Sequence, residues 1–515
     1  MSISKSIDNE KIRVIYNIIW AIIAVLSNFL VSFFLTPYVM KNMGIEAYGF
    51  VSLSTILITY IDIIAIALNA YASRYISIYY HKGEYDKANV FFNSIIFSNI
   101  FLAIMVFIPS IVIIGFLEHI INISAHLLSD VKLLFFLVLI DYFIITLSTA
   151  FSSATFIKNR LNKSETVKGS SYILRGIILL ILCHLFYPHV WYIAVASIIT
   201  SLYILLTTIY FTKNLTPELK IKTSKYSLKA IRELLSAGLW NSLNSLGNVL
   251  NNGLDLIITN LMLSAQSMGY VSVGENLSTI FNLLLNAISN AFKPRQLSFY
   301  ALNEKEKLIN ELKFSMKCSG MITGLVFAGF ISCGKYFLQL WIPAQNIDVI
   351  YVVTGICLFG NLIVGVVTPL YYVYTLTKKL KLPSIITLCM GALNVLFMLI
   401  FLKYTKLGVY AVVITTAALN YMIHIFDAPI YSAHCLGLKR TTFYPAIVRH
   451  FISCLITTAV LYIIVHFWPE VTNWNELGLL GIVCFIAGVV VLLVTVLNNN
   501  ERQILIRKIR KKLHS

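Results

Sequence analysis

The sequence predicts an all-α polytopic membrane protein of about fourteen transmembrane helices. Two parallel six-helix bundles, related by a pseudo-twofold axis, would surround a central cavity, with two further helices at the C-terminal end. Three observations predict this. First, 58% of the 515 residues are hydrophobic and only 12% are charged, with mean hydropathy +0.81. A soluble domain carries about 25% charged residues, so this chain has too little charge to cover a water-facing surface. Second, 34 of the 40 Lys and Arg residues fall on one alternating set of connections, whereas Lys41, Lys132, Lys335, Lys403 and Lys406 fall on the other. That asymmetry places both termini in the cytoplasm. Third, a gapless shift of 220 residues lays Trp20 on Trp240, Asn28 on Asn248, Gly49 on Gly269, Val51 on Val271 and Ser52 on Ser272. Six spans separate the copies, so the repeats share one orientation.

The spans follow from runs of roughly 20 apolar residues, the length a helix needs to cross a bilayer. Strands are excluded because these runs far exceed the ~10 alternating residues of a barrel strand. The first run, 14–36, follows Lys5, Lys11 and Arg13 and lacks a small-residue cleavage site, so it is expected to remain as a span. Spans 48–73, 89–115, 131–157, 170–187 and 190–212 complete the N-terminal bundle, 1–212. A basic cytoplasmic linker, 213–233, leads to the C-terminal bundle, 234–435. Its spans are 234–263, 268–292, 318–340, 349–376, 383–403 and 408–435. The region 436–498 carries the last two, 451–468 and 476–498, and residues 499–515 form a basic cytoplasmic tail.

Several function classes drop out. The net charge of +18 lies in short loops between apolar spans, where it sets topology, so nucleic acid is not expected as a partner. The eight cysteines lie in or at the ends of spans without a Cys-x-x-Cys pair and read as small hydrophobes. No His-Glu-x-x-His or phosphate-binding Gly-x-x-x-x-Gly-Lys-Ser/Thr motif is present, so neither a metal nor an ATP-driven pump is expected. No large soluble insertion supplies a catalytic domain, which disfavours a membrane glycosyltransferase or polymerase. No enzymatic activity and no cofactor are expected, a coupling proton or sodium ion apart.

Transport requires polar groups inside the bilayer. In the seventh span Asn241, Asn244, Asn248, Asn251 and Asp255 recur at helical spacing on one face. The eighth span carries Glu275, Thr279, Asn282, Asn286 and Asn290, and the second carries Ser52, Thr55, Thr59, Asp62 and Asn69. A carboxylate at a helix centre costs about 2.5–3.5 kcal/mol, so stripes of this kind are expected to face a wet cavity. The plainer reading is hydrogen bonding between neighbouring helices. Asp62, Asp255 and Glu275 are the candidate coupling carboxylates, since a buried carboxyl can load and release a proton near neutral pH; Asp141 and Asp427 are weaker candidates. Arg175, five residues into its span, either faces a cavity as a phosphate-binding cation or snorkels to the headgroups. Arg74, Lys293 and Arg295 could guide an anion at the cytoplasmic mouth or act as topology anchors. Lys335 is the unusual cation of the low-charge side.

The segment 36–77 resembles the polysaccharide repeat-unit (O-antigen) flippases, the Wzx-type branch of the multidrug/oligosaccharidyl-lipid/polysaccharide exporter superfamily. The resemblance rests on Pro37, Met43-Gly44, Tyr48-Gly49, Asp62 and Arg74-Tyr75, on the region of spans seven and eight, and on Leu-Gln-Leu-Trp-Ile-Pro at 338–343. Met43 stands where the family pattern has leucine. The resemblance implies a flippase of the bacterial cytoplasmic (inner) membrane. It would translocate an undecaprenyl-pyrophosphate-linked oligosaccharide for O-antigen, capsule or exopolysaccharide by alternating access, driven by an ion gradient. Membrane lipids, a polysaccharide polymerase and a chain-length regulator are the implied partners. A drug or cation antiporter of the same superfamily usually has twelve spans and a more compact acidic site. The peptidoglycan-precursor flippase branch looks richer in cavity arginines. Both remain alternatives.

Overall fold

A computed structural model describes residues 2–158 and 160–497; the basic tail read at 499–515 lies outside the described residues. Eleven stretches among the described residues are helices long and apolar enough to cross a membrane. The difference from fourteen has two physical causes. The first two predicted spans form one helical run, α1 (Ser2–Asn69), interrupted at Gly44, where φ 88 and ψ 167 leave the helical region. A side chain is disfavoured at that positive φ, which suits glycine to the break. The seventh and eighth predicted spans are helical, but their asparagines and serines depress hydropathy; neither is among the eleven apolar stretches.

The chain divides into two compact units, one ending at Gly269 and the next beginning at Tyr270. In the first, α1 is followed by α2 (Ala72–His81), α3 (Tyr85–Gly115), α4 (Leu128–Phe151), α5 (Leu161–Leu185) and α6 (Tyr192–Leu215). Then come α7 (Leu228–Asn248), a π-helical turn at Val249–Gly253, and α8 (Asp255–Met262). Helix α1 packs on α5 and α7, and α4 packs on α6. Leu68, Ile76, Phe92, Ile95 and Leu234 form a buried apolar cluster. Two close approaches fix this packing. A Cβ on Gly238 would lie 1.9 Å from the Ala67 carbonyl oxygen, and one on Gly269 would lie 2.4 Å from that of Ile45. Gly269 and Gly49, equivalent under the 220-residue shift, approach backbone to backbone. The same shift carries the Gly44 break to residue 264, beside the end of α8, where Leu263 departs from helical geometry (φ −123, ψ −90).

The linker is strapped to α3. Asn89 donates from Nδ2 to the Glu218 carbonyl (2.8 Å) and accepts from the Lys220 amide (2.7 Å). One helical turn on, Asn93 repeats the pattern with the Lys220 carbonyl (2.9 Å) and the Lys222 amide (2.7 Å). The Tyr80 hydroxyl donates to Glu218 at 2.5 Å.

Helix α9 (Ala265–Ala301) runs into the second unit. That unit continues with α10 (Lys305–Trp341), α11 (Ile347–Val367), α12 (Tyr371–Leu376), α13 (Lys381–Tyr404), α14 (Val409–Cys435), α15 (Tyr444–His466) and α16 (Trp474–Val496). Its core centres on Leu312, Met316, Ile363, Val366 and Phe443. Helix α10 packs against α11, α15 and α16, and α13 pairs with α14. The final two spans therefore belong to the packing of this unit.

Candidate functional site

The first unit holds a polar interior arranged around α4, which carries two lines of hydrogen-bonding side chains. Tyr142, Thr146 and Thr149 recur at i, i+4 and i+7 and share one face. The Tyr142 hydroxyl donates to Asp62 Oδ1 at 3.5 Å. Two turns further along α1, Asn69 donates to Asn99 Oδ1 at 3.0 Å, and Asn99 donates back at 3.2 Å. Asn99, fully buried on α3, also donates to the Thr149 hydroxyl at 2.9 Å and to the Thr146 carbonyl at 3.3 Å. The network joins α1, α3 and α4 through groups that hydrocarbon would otherwise leave unpaired.

Asp141, one residue before Tyr142, points elsewhere. It accepts from the Ser201 hydroxyl of α6 at 2.5 Å and experiences the charge of Arg175 on α5. The guanidinium Nε of Arg175 is buried without a hydrogen-bond partner. Arg175 therefore has a carboxylate counter-charge within the protein and a donor left over, an arrangement suited to an anionic or hydroxyl-rich ligand.

The asparagine stripe of the seventh span is not one continuous face. The π turn at Val249–Gly253 inserts an extra residue into the helical repeat and rotates the residues beyond it. Asn241 and Asn244 are half-buried and Asn248 is exposed, whereas Asn251 and Asp255 are buried. The turn is held from α1, where the Tyr60 hydroxyl donates to the Gly253 carbonyl. Ser242 likewise donates to the Ile63 carbonyl at 2.6 Å. The remaining stripe residues are mixed: Glu275 and Asn282 are half-buried, and Thr279, Asn286 and Asn290 are exposed. Thr59 is exposed and bonds its own helix at Ile56 (2.6 Å). Arg74 is exposed, 6.0 Å from the Tyr71 ring centroid. Lys335 forms an exposed ion pair with Asp348 at 2.7 Å.

The structure thus links Asp62 and Asn69 to side chains on neighbouring helices. Sequence reasoning missed their partners Tyr142, Asn99 and Thr149, and the Ser201 that bonds Asp141, because uncharged polar residues within apolar runs are common in spans and do not by themselves mark a site. The i, i+4, i+7 spacing of Tyr142, Thr146 and Thr149 was the available signal. In the second unit Asp427 accepts from the Tyr374 hydroxyl at 3.4 Å, and His424 Nδ1 contacts the Tyr371 hydroxyl. Among the described residues no group of three or more His, Cys, Asp or Glu side chains is placed to hold a metal ion.

A helical chain of many spans with carboxylates, amides and an arginine in its interior has the build of a membrane transporter. Residues 14–296 match the family model described as "Polysaccharide biosynthesis protein", and the chain belongs to that family. It is 27% identical over 498 residues to "Uncharacterized membrane protein EpsK" of Bacillus subtilis (strain 168), covering 94% of this chain and 97% of that one. The fold is similar to "Lipid II flippase MurJ, inward closed conformation", with TM-score 0.66, 16% identity and coverage of 94% and 97% of the two chains. It is also similar to an inward-facing multidrug resistance MATE family transporter of the MOP superfamily, with TM-score 0.66, 16% identity and coverage of 81% and 98%. The chain therefore shares its fold with these two solved structures.

Proposed function

We propose that the protein moves an undecaprenyl-pyrophosphate-linked oligosaccharide repeat from the cytoplasmic to the outer leaflet of the bacterial cytoplasmic membrane. It does so by alternating access, coupled to a proton or sodium gradient, with both termini cytoplasmic. The observation that carries the reading is the polar interior of the first unit: Asp62 beside Tyr142, and Asp141 with Ser201 and Arg175, in a member of a polysaccharide biosynthesis family. Asp62, with Asp255 and Glu275, is assigned to coupling, and Arg175 to the anionic or sugar part of the substrate. The asparagines of spans seven and eight, Asn241, Asn244, Asn248, Asn251, Asn282 and Asn286, are assigned to sugar hydroxyls. The lipid-linked glycan is the substrate, and a polymerase and chain-length regulator act on its product.

The test is deletion of the gene, with analysis of surface polymer and lipid-linked intermediates. Loss of polymer with single repeats held on undecaprenyl pyrophosphate inside the cell is the expected result. Unpolymerised repeats at the outer surface would instead indicate a polymerase. Normal polymer with altered drug sensitivity would indicate a drug antiporter.

A further inference from the structure

The second unit contains a groove that the transport reading does not use. It lies between α13 and α14, at the end that the charge pattern assigns to the cytoplasm, and encloses about 600 Å³. One wall is Leu382, Ile386 and Met390, recurring every four residues along α13; the other includes Met422, Phe426 and Ile430 of α14. Phe426 is 62% exposed and Met422 52%, so the groove opens through an apolar surface of the kind suited to lie against hydrocarbon in a membrane. Such a surface favours an occupant drawn from the bilayer.

The mouth is basic. Arg440 and His434 line it. A contiguous cavity of about 400 Å³, sharing Leu382 and Tyr431 with the groove, is lined by Lys378, Lys379 and Lys381. These lysines are held in place by a tight turn. Lys378 adopts φ 57, the Lys379 amide donates to the Tyr374 carbonyl at 2.9 Å, and the Tyr431 hydroxyl donates to the Lys379 carbonyl at 3.5 Å. The cationic turn is thereby fastened to the groove wall. Asp427 is the carboxylate lining the groove, with the Tyr374 hydroxyl as donor. Its charge opposes entry of an anion below the mouth.

We propose that this groove is a binding site for an anionic glycerophospholipid. The phosphate lies at the mouth among Arg440, His434 and the Lys378–Lys381 turn, and an acyl chain runs along Leu382, Ile386 and Met390. The dimensions match. The eight residue steps from Leu382 to Met390 rise about 12 Å, close to the ~15 Å half-thickness of a bilayer core. Each basic side chain near the surface favours an anionic headgroup, and the apolar walls supply the chain contact. The proposal is independent of the identity of the transported substrate.

The test uses the full chain in mixed micelles and measures lipid retention by native mass spectrometry. Wild-type protein is expected to retain one phosphatidylglycerol in preference to phosphatidylcholine by about tenfold or more. Lys378→Ala/Lys379→Ala/Arg440→Ala should reduce that preference to near unity. Lys220→Ala/Lys222→Ala/Lys229→Ala, removing the same charge from the first unit, should leave it unchanged. Met390→Trp, which fills the groove, should lower retention of both lipids. All three basic residues of the first variant are exposed, so a folding failure is not expected and is checked by thermal unfolding. Equal retention of the two lipids by wild type, or full preference in that variant, overturns the proposal. So does undecaprenyl phosphate displacing phosphatidylglycerol through the same basic residues, which would give the groove to the substrate lipid.

Discussion

Replacing Gly238 with alanine is expected to destabilise the first unit even though alanine is the better helix former. The new Cβ would meet three backbone atoms of Ala67 at 1.9, 2.7 and 2.9 Å. Ordinary van der Waals contact begins near 3.4 Å, so α1 and α7 must separate locally by about 1.5 Å, since interiors packed to native density do not yield. No flexible side chain can rotate away, because the obstructing atoms are main chain. Overpacking of this kind costs about 1–3 kcal/mol, against a propensity gain of about 0.8–1 kcal/mol for Gly→Ala. Gly329 on α10 is the matched control, since a Cβ there meets nothing within 4 Å. Gly329→Ala should keep the propensity gain and raise stability by up to about 1 kcal/mol. The assay is thermal unfolding of the two variants and wild type in one detergent. If Gly238→Ala unfolds at or above the temperature of Gly329→Ala, the close approach of α1 and α7 is wrong.

Four further outcomes are expected. Asp62→Asn, Asp255→Asn and Glu275→Gln should each reduce surface polymer strongly while leaving membrane insertion intact; full polymer in all three would remove the assigned coupling role. Arg175→Ala should impair transport, and Arg175→Ala/Asp141→Asn should fold better than Arg175→Ala alone, because the double variant does not strand a carboxylate; a silent Arg175→Ala returns that residue to headgroup snorkelling. Asn99→Leu should cost about 1–3 kcal/mol by leaving Asn69 and Thr149 short of a partner, as read from thermal unfolding. Glu218 lies in the linker, and its bond from Tyr80 holds its carboxyl below the usual carboxylate range. The linker's attachment through Glu218 is thus fully present above the ordinary carboxylate pKa and is lost as pH falls through the lower folded value. Glu218→Gln should flatten this acid limb in a hydrogen-exchange profile of 216–222.

The helices were legible because hydrocarbon demands long apolar runs, and the charge asymmetry marked their connections. The first two spans were read as separate, 14–36 and 48–73, and the helical run through Gly44 to Asn69 was not legible. Asp62 and Asn69 were legible for the cost they would incur facing lipid. Their partners were not, because Tyr142, Asn99 and Thr149 are uncharged and leave the apolar runs around them long enough to read as spans. The stripe from Asn241 to Asp255 shows a different limit. Spacing arguments assume 3.6 residues per turn, and the π turn at Val249–Gly253 violates that assumption. No residue in Val-Leu-Asn-Asn-Gly announces such a turn; the hold from Tyr60 on Gly253 is tertiary.

The strapped linker bears on where the chain can be cut or extended. Its lysines and polar composition suggest an accessible tether, yet Asn89 and Asn93 occupy its amides and carbonyls much as a neighbouring strand would. A protease must draw several residues into an extended cleft before it can cleave. Here it would first have to strip four hydrogen bonds from the Glu218–Lys222 backbone, so Lys220 and Lys222 should survive limited trypsin digestion of the folded protein. An epitope or reporter inserted between them would break the same contacts. The turn at Asn303 and Glu304, exposed and half-buried respectively, offers a more tolerant point of insertion.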